Sequence, residues 1–236
     1  MRVVIIGGTS GLGRALAGVF ISRKWEAAVT GTRDDTIRTF GAQYPDSAVR
    51  KLDLTDTEKS RKDFLELAEG TGGTDAVVVC AGHFDWDRET DWEIEKKAIE
   101  INALGCAGLL NAAFGYFLKK GSGRLAGVSS IGAVRGNGAC PAYNASKAFI
   151  TNYLEGLRQA AALSGGDISV TTVMPAYIAG KEEAAARDIF EAVLNKRRVI
   201  YTPARWRFLA ALYRNLPDLL HEKMARRHDS LLKPFK

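Results

Sequence analysis

Arg2-Val3-Val4-Ile5-Ile6-Gly7-Gly8-Thr9-Ser10-Gly11-Leu12-Gly13 is the stretch on which the reading of this chain turns. Arg2 to Ile6 is short, β-branched and ended by glycine, which is the pattern of a buried strand. From Arg14 to about Lys24 the sequence has helical character. Strand, glycine turn and helix are the layout of a dinucleotide site. Glycines let the backbone approach a pyrophosphate, and the helix N-terminus offers free N–H groups at the positive end of its dipole. Alone, the motif is equally the signature of a tight turn that holds nothing.

Downstream, the same alternation continues. Glu26–Thr30, Ala48–Leu52, Asp75–Cys80, Arg124–Ser130 and Asp167–Met174 read as strands, and Val199–Thr202 as an edge strand before Pro203. Thr57–Glu69, Asp91–Leu118, Ala142–Ala162 and Lys181–Asn195 read as helices. Strands alternating with helices predict an α/β fold: a doubly wound, Rossmann-like parallel sheet flanked by helices on both faces. No linker or repeat divides the chain, so residues 1–236 read as a single dinucleotide-binding catalytic domain. A carboxylate at the end of the second strand would take the ribose 2′-hydroxyl of NAD, whereas an arginine suits the 2′-phosphate of NADP. Here the segment is Thr30-Gly31-Thr32-Arg33-Asp34, which favours NADP(H); Asp34 and Asp35 leave NAD(H) possible. Asp53 ends the third strand, where it can meet an adenine, and Thr55 or Asp56 can cap the next helix.

Composition narrows the class. The chain has 236 residues, 46% hydrophobic and 25% charged, ordinary values for a globular protein. No uninterrupted apolar run approaches the roughly 20 residues that cross a bilayer. The N-terminal apolar run stops at glycine and reads as a strand rather than a signal peptide. Cys80, Cys106 and Cys140 lack paired spacing, which fits a reducing, cytoplasmic setting and argues against a disulfide framework. His83, His221 and His228 are scattered, so no metal site is expected. The net charge of +6 belongs to the C-terminus: residues 196–236 hold 11 Lys+Arg against 3 Asp+Glu, leaving residues 1–195 at −2.

Two further residues make a chemical device. Tyr143 and Lys147 lie four apart in a helical segment and so share a face. A free tyrosine, with a pKa of about 10, is a poor proton shuttle at neutral pH, and a fixed ammonium beside it favours the phenolate. By itself this spacing recurs by chance. Asn102, in the middle of a helix, competes with the backbone and asks for a reason, of which a polar helix face is the plainest.

Taken together, Gly7-x-x-x-Gly11-x-Gly13, Asp53, Cys80-Ala81-Gly82, Asn102, Ser130 and Tyr143-x-x-x-Lys147 resemble the short-chain dehydrogenase/reductase family over residues 1 to about 180. The resemblance implies a catalytic set of Asn102, Ser130, Tyr143 and Lys147. Tyr143 would be the acid/base, Lys147 would lower its pKa and hold the nicotinamide ribose, Ser130 would bind the substrate carbonyl, and Asn102 would hold a relay water. Ser130 lies thirteen residues before Tyr143; Ser129 is one residue out of register. The cofactor would be held by Gly7, Thr9, Ser10, Gly11, Leu12 and Gly13 in the loop, and by Arg33, Asp53 and Leu54. Cys80, Ala81, Gly82, Tyr143, Lys147, Pro175 and Ile178 complete that set. The chain departs from the family pattern at Ile6 for threonine, at Val79-Cys80 for two asparagines, at Ala176 for glycine and at Gly180 for threonine.

The implied activity is hydride transfer between a nicotinamide cofactor and a carbonyl or secondary alcohol. The alternative is a cofactor-binding redox sensor of the same fold, for which an intact acid/base would be superfluous. A homodimer or homotetramer is expected through the two long helices, whose Leu109, Phe117, Phe149 and Tyr153 exceed one buried face. The basic tail, residues 196–236, is expected to be helical and broken at Pro217. It carries Trp206, Leu209, Ala210 and Tyr213 at helical spacing. Three roles compete for it: packing, cover for a broad apolar substrate pocket that suits large hydrophobic carbonyl compounds, and weak contact with a membrane surface. No nucleic acid is expected.

Overall fold

The computed structural model describes residues 1–86 and 89–224. Seven parallel strands form one sheet in the order β3-β2-β1-β4-β5-β6-β7. They are β1 (Arg2–Ile6), β2 (Glu26–Gly31), β3 (Ala48–Lys51), β4 (Ala76–Val79), β5 (Ser122–Val128), β6 (Asp167–Pro175) and β7 (Val199–Thr202). β1 pairs with β2 on one side (Val4 beside Ala28) and with β4 on the other (Val4 beside Val77). The strand order therefore reverses at β1, and the crevice above the carboxyl ends of β1 and β4 is where such sheets bind ligands.

Alternation along β1 explains the two layers. Val4 and Ile6 point into one core with Phe64, Leu110 and Leu154. Val3 and Ile5 point into the other with Leu16, Phe20, Phe40 and Phe190. The first core is roofed by α3 (Thr57–Gly70), α5 (Cys106–Lys120) and α6 (Pro141–Leu163). The second is roofed by α1 (Gly11–Ser22), α2 (Asp34–Gln43) and α7 (Glu182–Leu194). Each fully buried Phe or Leu contributes about 1.5–3 kcal/mol, so these paired cores hold the doubly wound sheet that the sequence predicts.

The structure adds what periodicity did not give. α2 begins at Asp34 and Asp35, whose charges complement the helix N-terminus, so these two acids serve α2. The helix expected over Asp91–Leu118 runs from α4 (Trp92–Ala98) through a widened π turn (Ile99–Gly105) into α5. A short 3-10 turn, Ile131–Val134, follows β5. Asp56, rather than Thr55, caps α3 by accepting the Lys59 N–H at 3.1 Å. In the tail, α8 (Trp206–Arg214) ends before Pro217 and residues 218–224 are helical; the rest of the expected helical extension, 225–236, lies outside the described residues. Trp92–Lys120 is long and apolar enough to cross a bilayer by composition, but half of its most apolar 18-residue stretch is buried in the protein.

One expectation needs correction. Leu109 and Phe117 are 1% and 0% exposed, packed in the chain's own core. Both lie in the first core with Val77 and Val79 of β4 and Leu125 of β5, and Gly123 on β5 leaves room for the Phe117 ring, which a Cβ there would meet at 2.0 Å. The exposed large apolar side chains of these helices are instead Trp92, Ile99, Leu104, Leu118, Phe149 and Leu163, with Phe149 stacked on Tyr153.

Candidate active site

The glycine loop is built by contact. Gly7 adopts φ +79°, a left-handed conformation that glycine tolerates, and a Cβ there would lie 2.8 Å from the Ala81 backbone. The loop after β1 thus touches the loop after β4. Ile6 O accepts the N–H groups of both Cys80 and Ala81 at 2.9 Å, and Thr30 Oγ1 accepts the Gly7 N–H at 3.3 Å. Thr30 on the neighbouring strand therefore supports the loop where Ile6 cannot. Gly11 has φ +49° and nothing within 4 Å of its Cβ position. Ser10 makes no side-chain cap, and the first turn of α1 has no acidic residue. These open N–H groups, at an uncompensated dipole end beneath a bare glycine, fit a pyrophosphate. Thr9 is turned inward, its Oγ1 3.1 Å from that of Thr36, and Leu12 packs on the second core.

At the far end of the crevice, Gly31 has no room for a side chain because Thr9 Oγ1 would lie 2.1 Å from its Cβ. Arg33 is exposed at the N-cap of α2, and its guanidinium pairs with nothing among the described residues. Asp34 is drawn away to Lys51 at 2.8 Å. Asp53 accepts from the N–H and hydroxyl of Thr55 at 3.0 and 2.9 Å. Leu54 is buried against the π turn, where a Cβ on Gly105 would fall 2.5 Å from its carbonyl oxygen.

At the other end, three elements converge. Lys147 is 4% exposed, and its Nζ donates to the Val128 carbonyl at 3.1 Å. A buried ammonium is costly unless its donors are used, and no carboxylate pairs with it among the described residues. Its Nζ lies 5.8 Å from the centre of the Tyr143 ring. A Cβ on Gly82 would sit 3.1 Å from Lys147 Nζ and 3.2 Å from Asn102 Oδ1. Gly82 thus marks where the loop after β4, the π turn and α6 meet. Asn102 is fully buried; it accepts the His83 N–H at 2.7 Å and donates to the His83 carbonyl at 2.8 Å.

The two serines make different hydrogen bonds. Ser129 is buried, donating to the Lys147 carbonyl at 2.9 Å and lying 2.7 Å from Thr151 Oγ1, so it fastens α6 to β5. Ser130 Oγ accepts the Gly132 N–H at 3.0 Å, which leaves its proton free to donate. Pro175 ends β6, and Ile178 lies half-buried beyond it. Cys80 lies where the family has asparagine. Burial pushes its thiol up to about 12 although the Lys147 charge pulls the other way, so it is no thiolate at neutral pH.

Sequence reasoning singled out Trp206 of the rim but not Phe84 or Trp86. Phe84 packs edge-on against Tyr143 with centroids 4.7 Å apart, and Trp86 packs edge-on against Phe84 at 5.1 Å. Both are exposed. Tyr177, at φ +48°, lies against Trp206 with centroids 5.2 Å apart. Phe84-x-Trp86 directly after the Ala81-Gly82 turn was the available signal. His83 Nε2 lies 2.9 Å from Asp85 Oδ2, but without hydrogen-bond geometry. Glu95 Oε1 accepts the Ala142 N–H at 3.3 Å, fixing the first turn of α6 just before Tyr143. No cluster of three or more His, Cys, Asp or Glu occurs among the described residues.

The family profile for short chain dehydrogenases matches residues 1–188. An uncharacterized oxidoreductase of Mycobacterium tuberculosis is 34% identical over 203 residues, covering 82% of this chain and 79% of its own. Another, from Myxococcus xanthus, is 30% identical over 193 residues, covering 79% and 75%. Among solved structures, a short-chain dehydrogenase from Streptomyces avermitilis superposes with a TM-score of 0.78 at 21% identity, covering 99% of this chain and 97% of that one. ElxO with NADP bound superposes at 0.76 and 19% identity, covering 85% and 96%. The chain belongs to the short-chain dehydrogenase family and is an oxidoreductase of that family.

Proposed function

We propose that this protein reduces a carbonyl compound, or oxidises the matching secondary alcohol, using NADP(H) with Tyr143 as acid/base. The observation that carries the reading is the buried Lys147 ammonium, without a carboxylate partner among the described residues, on the same face of α6 as Tyr143. The nicotinamide, when bound, supplies the hydride to the carbonyl carbon. Ser130 donates its free proton to the carbonyl oxygen and orients it. Tyr143 delivers the proton that completes the alcohol, and the Lys147 charge stabilises the phenolate left behind. Lys147 has donors left for the nicotinamide ribose after its bond to Val128. The Asn102 side chain is fastened to the main chain of His83, and a relay water beside this residue replenishes the proton.

NADP(H) is favoured because Arg33 is exposed and unpaired while Asp34 is tied to Lys51. A guanidinium suits a phosphate in charge and fork geometry. ElxO, similar in fold, was solved with NADP. The aromatic rims Phe84/Trp86 and Tyr177/Trp206 favour large hydrophobic carbonyl compounds over small polar ones. A screen of both kinds, following nicotinamide absorbance with both cofactors, tests the reading. We expect NADPH to bind more tightly than NADH, and Arg33→Ala to lose roughly tenfold or more in NADPH affinity with little change for NADH. Tighter NADH binding, or no loss in Arg33→Ala, defeats the assignment.

We also propose a homodimer or homotetramer, now on the exposed Leu104, Leu118 and Phe149 of the two long helices. Light scattering at micromolar concentration is expected to give at least twice the 25.6 kDa chain mass. A monomeric mass rejects it.

A further inference from the structure

α8 has two faces, and only one of them is used. Successive helical residues turn by about 100°. Trp206, Ala210 and Tyr213 therefore share the inward side, where Ala210 and Tyr213 pack with Val134 and Met174. Phe208, Leu209 and Leu212 fall on an outward stripe, and Phe208 and Leu212 are 66% and 68% exposed. Residues 218–224 add Leu219, Leu220 and Met224, with Leu219 at 81% exposure. Arg207 and Arg214 border the α8 stripe, and Arg205 precedes it. The corner between the helices is fixed. Arg135 donates to the Leu216 carbonyl and to Asp218 Oδ1, both at 2.7 Å, and Tyr213 Oη lies 2.7 Å from His221 Nε2.

We propose that α8 and residues 218–224 form a docking surface for the headgroup layer of an anionic lipid bilayer. A short helix with large apolar side chains on one stripe and arginines at its edge lies in that layer, apolar side down, with its cations among the lipid phosphates. The charge is complementary: residues 205–224 carry Arg205, Arg207, Arg214 and Lys223 against Asp218 and Glu222, with Asp218 paired to Arg135, while residues 1–195 are at −2. A second copy of the chain is disfavoured on the same ground. Two-fold pairing through this stripe would bring like segments, and their arginines, together. The Arg135 bonds present the corner ready-formed, so docking does not have to order a loose tail. Arg135 directly follows the 3-10 turn that begins after Ser130, so the docked face lies beside the site, where a hydrophobic substrate dissolved in the bilayer could enter.

The test uses full-length protein and vesicles of phosphatidylcholine alone or mixed with phosphatidylglycerol, with binding read by co-sedimentation. We expect binding to the mixed vesicles that weakens with salt, since exposed charges are screened. Arg205→Ala/Arg207→Ala is expected to lower the partition constant roughly tenfold or more. Phe208→Ser/Leu212→Ser is expected to lower it at every salt concentration, while its circular dichroism and scattering mass match the wild type. Protein that stays in the supernatant with anionic vesicles overturns the proposal. So does binding that neither double variant reduces. A scattering mass halved by Phe208→Ser/Leu212→Ser without lipid also overturns it, since the stripe would then be a contact between copies.

Discussion

Tyr143→Phe is expected to lower turnover by roughly 10²–10⁴-fold, the usual share of a positioned general acid. Folding should not change. The Tyr143 hydroxyl has no hydrogen-bond partner among the described residues, and the ring's edge-on packing against Phe84 is open to phenylalanine as well. Cofactor affinity should also survive, because Lys147 keeps its place through the Val128 carbonyl. Lys147→Ala should behave differently and lose both turnover and affinity, since it removes the charge and the donors together. Steady-state rates on an accepted substrate, with nicotinamide titration alongside, separate the two variants. A Tyr143→Phe protein that keeps most of the wild-type rate would show that the proton comes from elsewhere.

The framework of this site was legible because its parts depend on local rules. A β-branched run ending in glycine places β1, and four-residue spacing places Tyr143 and Lys147 on one face. The distinction between Ser129 and Ser130 came from the family resemblance and not from a local rule; in the fold the two hydroxyls make different hydrogen bonds. What stayed hidden depends on contacts between distant segments. Asn102 looked like a polar face residue, yet it is fully buried on the main chain of His83. Leu109 and Phe117 looked surplus to one buried helix face because Gly123 of β5, which makes room for the Phe117 ring, is not visible in the helix's own sequence. Asp34 and Asp35 were weighed only as cofactor contacts, which concealed the start of α2. Phe84 and Trp86 lie in a loop with no periodicity to mark them, and only the fold brings Phe84 against Tyr143.

Gly13→Ala should cripple cofactor binding through a clash that intrinsic propensity would not anticipate. Within a helix, alanine is favoured over glycine by up to about 1 kcal/mol. Gly13 has no left-handed φ that would exclude a side chain. Its Cβ, however, would lie 2.1 Å from the Gly7 carbonyl oxygen, 2.9 Å from the Gly7 carbonyl carbon and 3.1 Å from Gly8 Cα. All three neighbours are backbone, so no rotamer change relieves the contact, and α1 and the loop must separate by on the order of 1 Å. Overpacking of this kind costs about 1–3 kcal/mol, which outweighs the propensity gain. The gap opens where the N–H groups of α1 would meet a pyrophosphate, and a misplacement of that size costs roughly 10²-fold in a positioned site. The expected result is a melting temperature lower by a few degrees and a dinucleotide affinity lower by one to two orders of magnitude. Gly41→Ala in α2 is the control, since its Cβ would meet only a Val49 methyl at 4.0 Å. It should hold or raise the melting temperature and leave affinity alone. If Gly13→Ala binds the dinucleotide as the wild type does, the ligand does not rest on this loop, and the cofactor site proposed for the crevice between β1 and β4 is wrong.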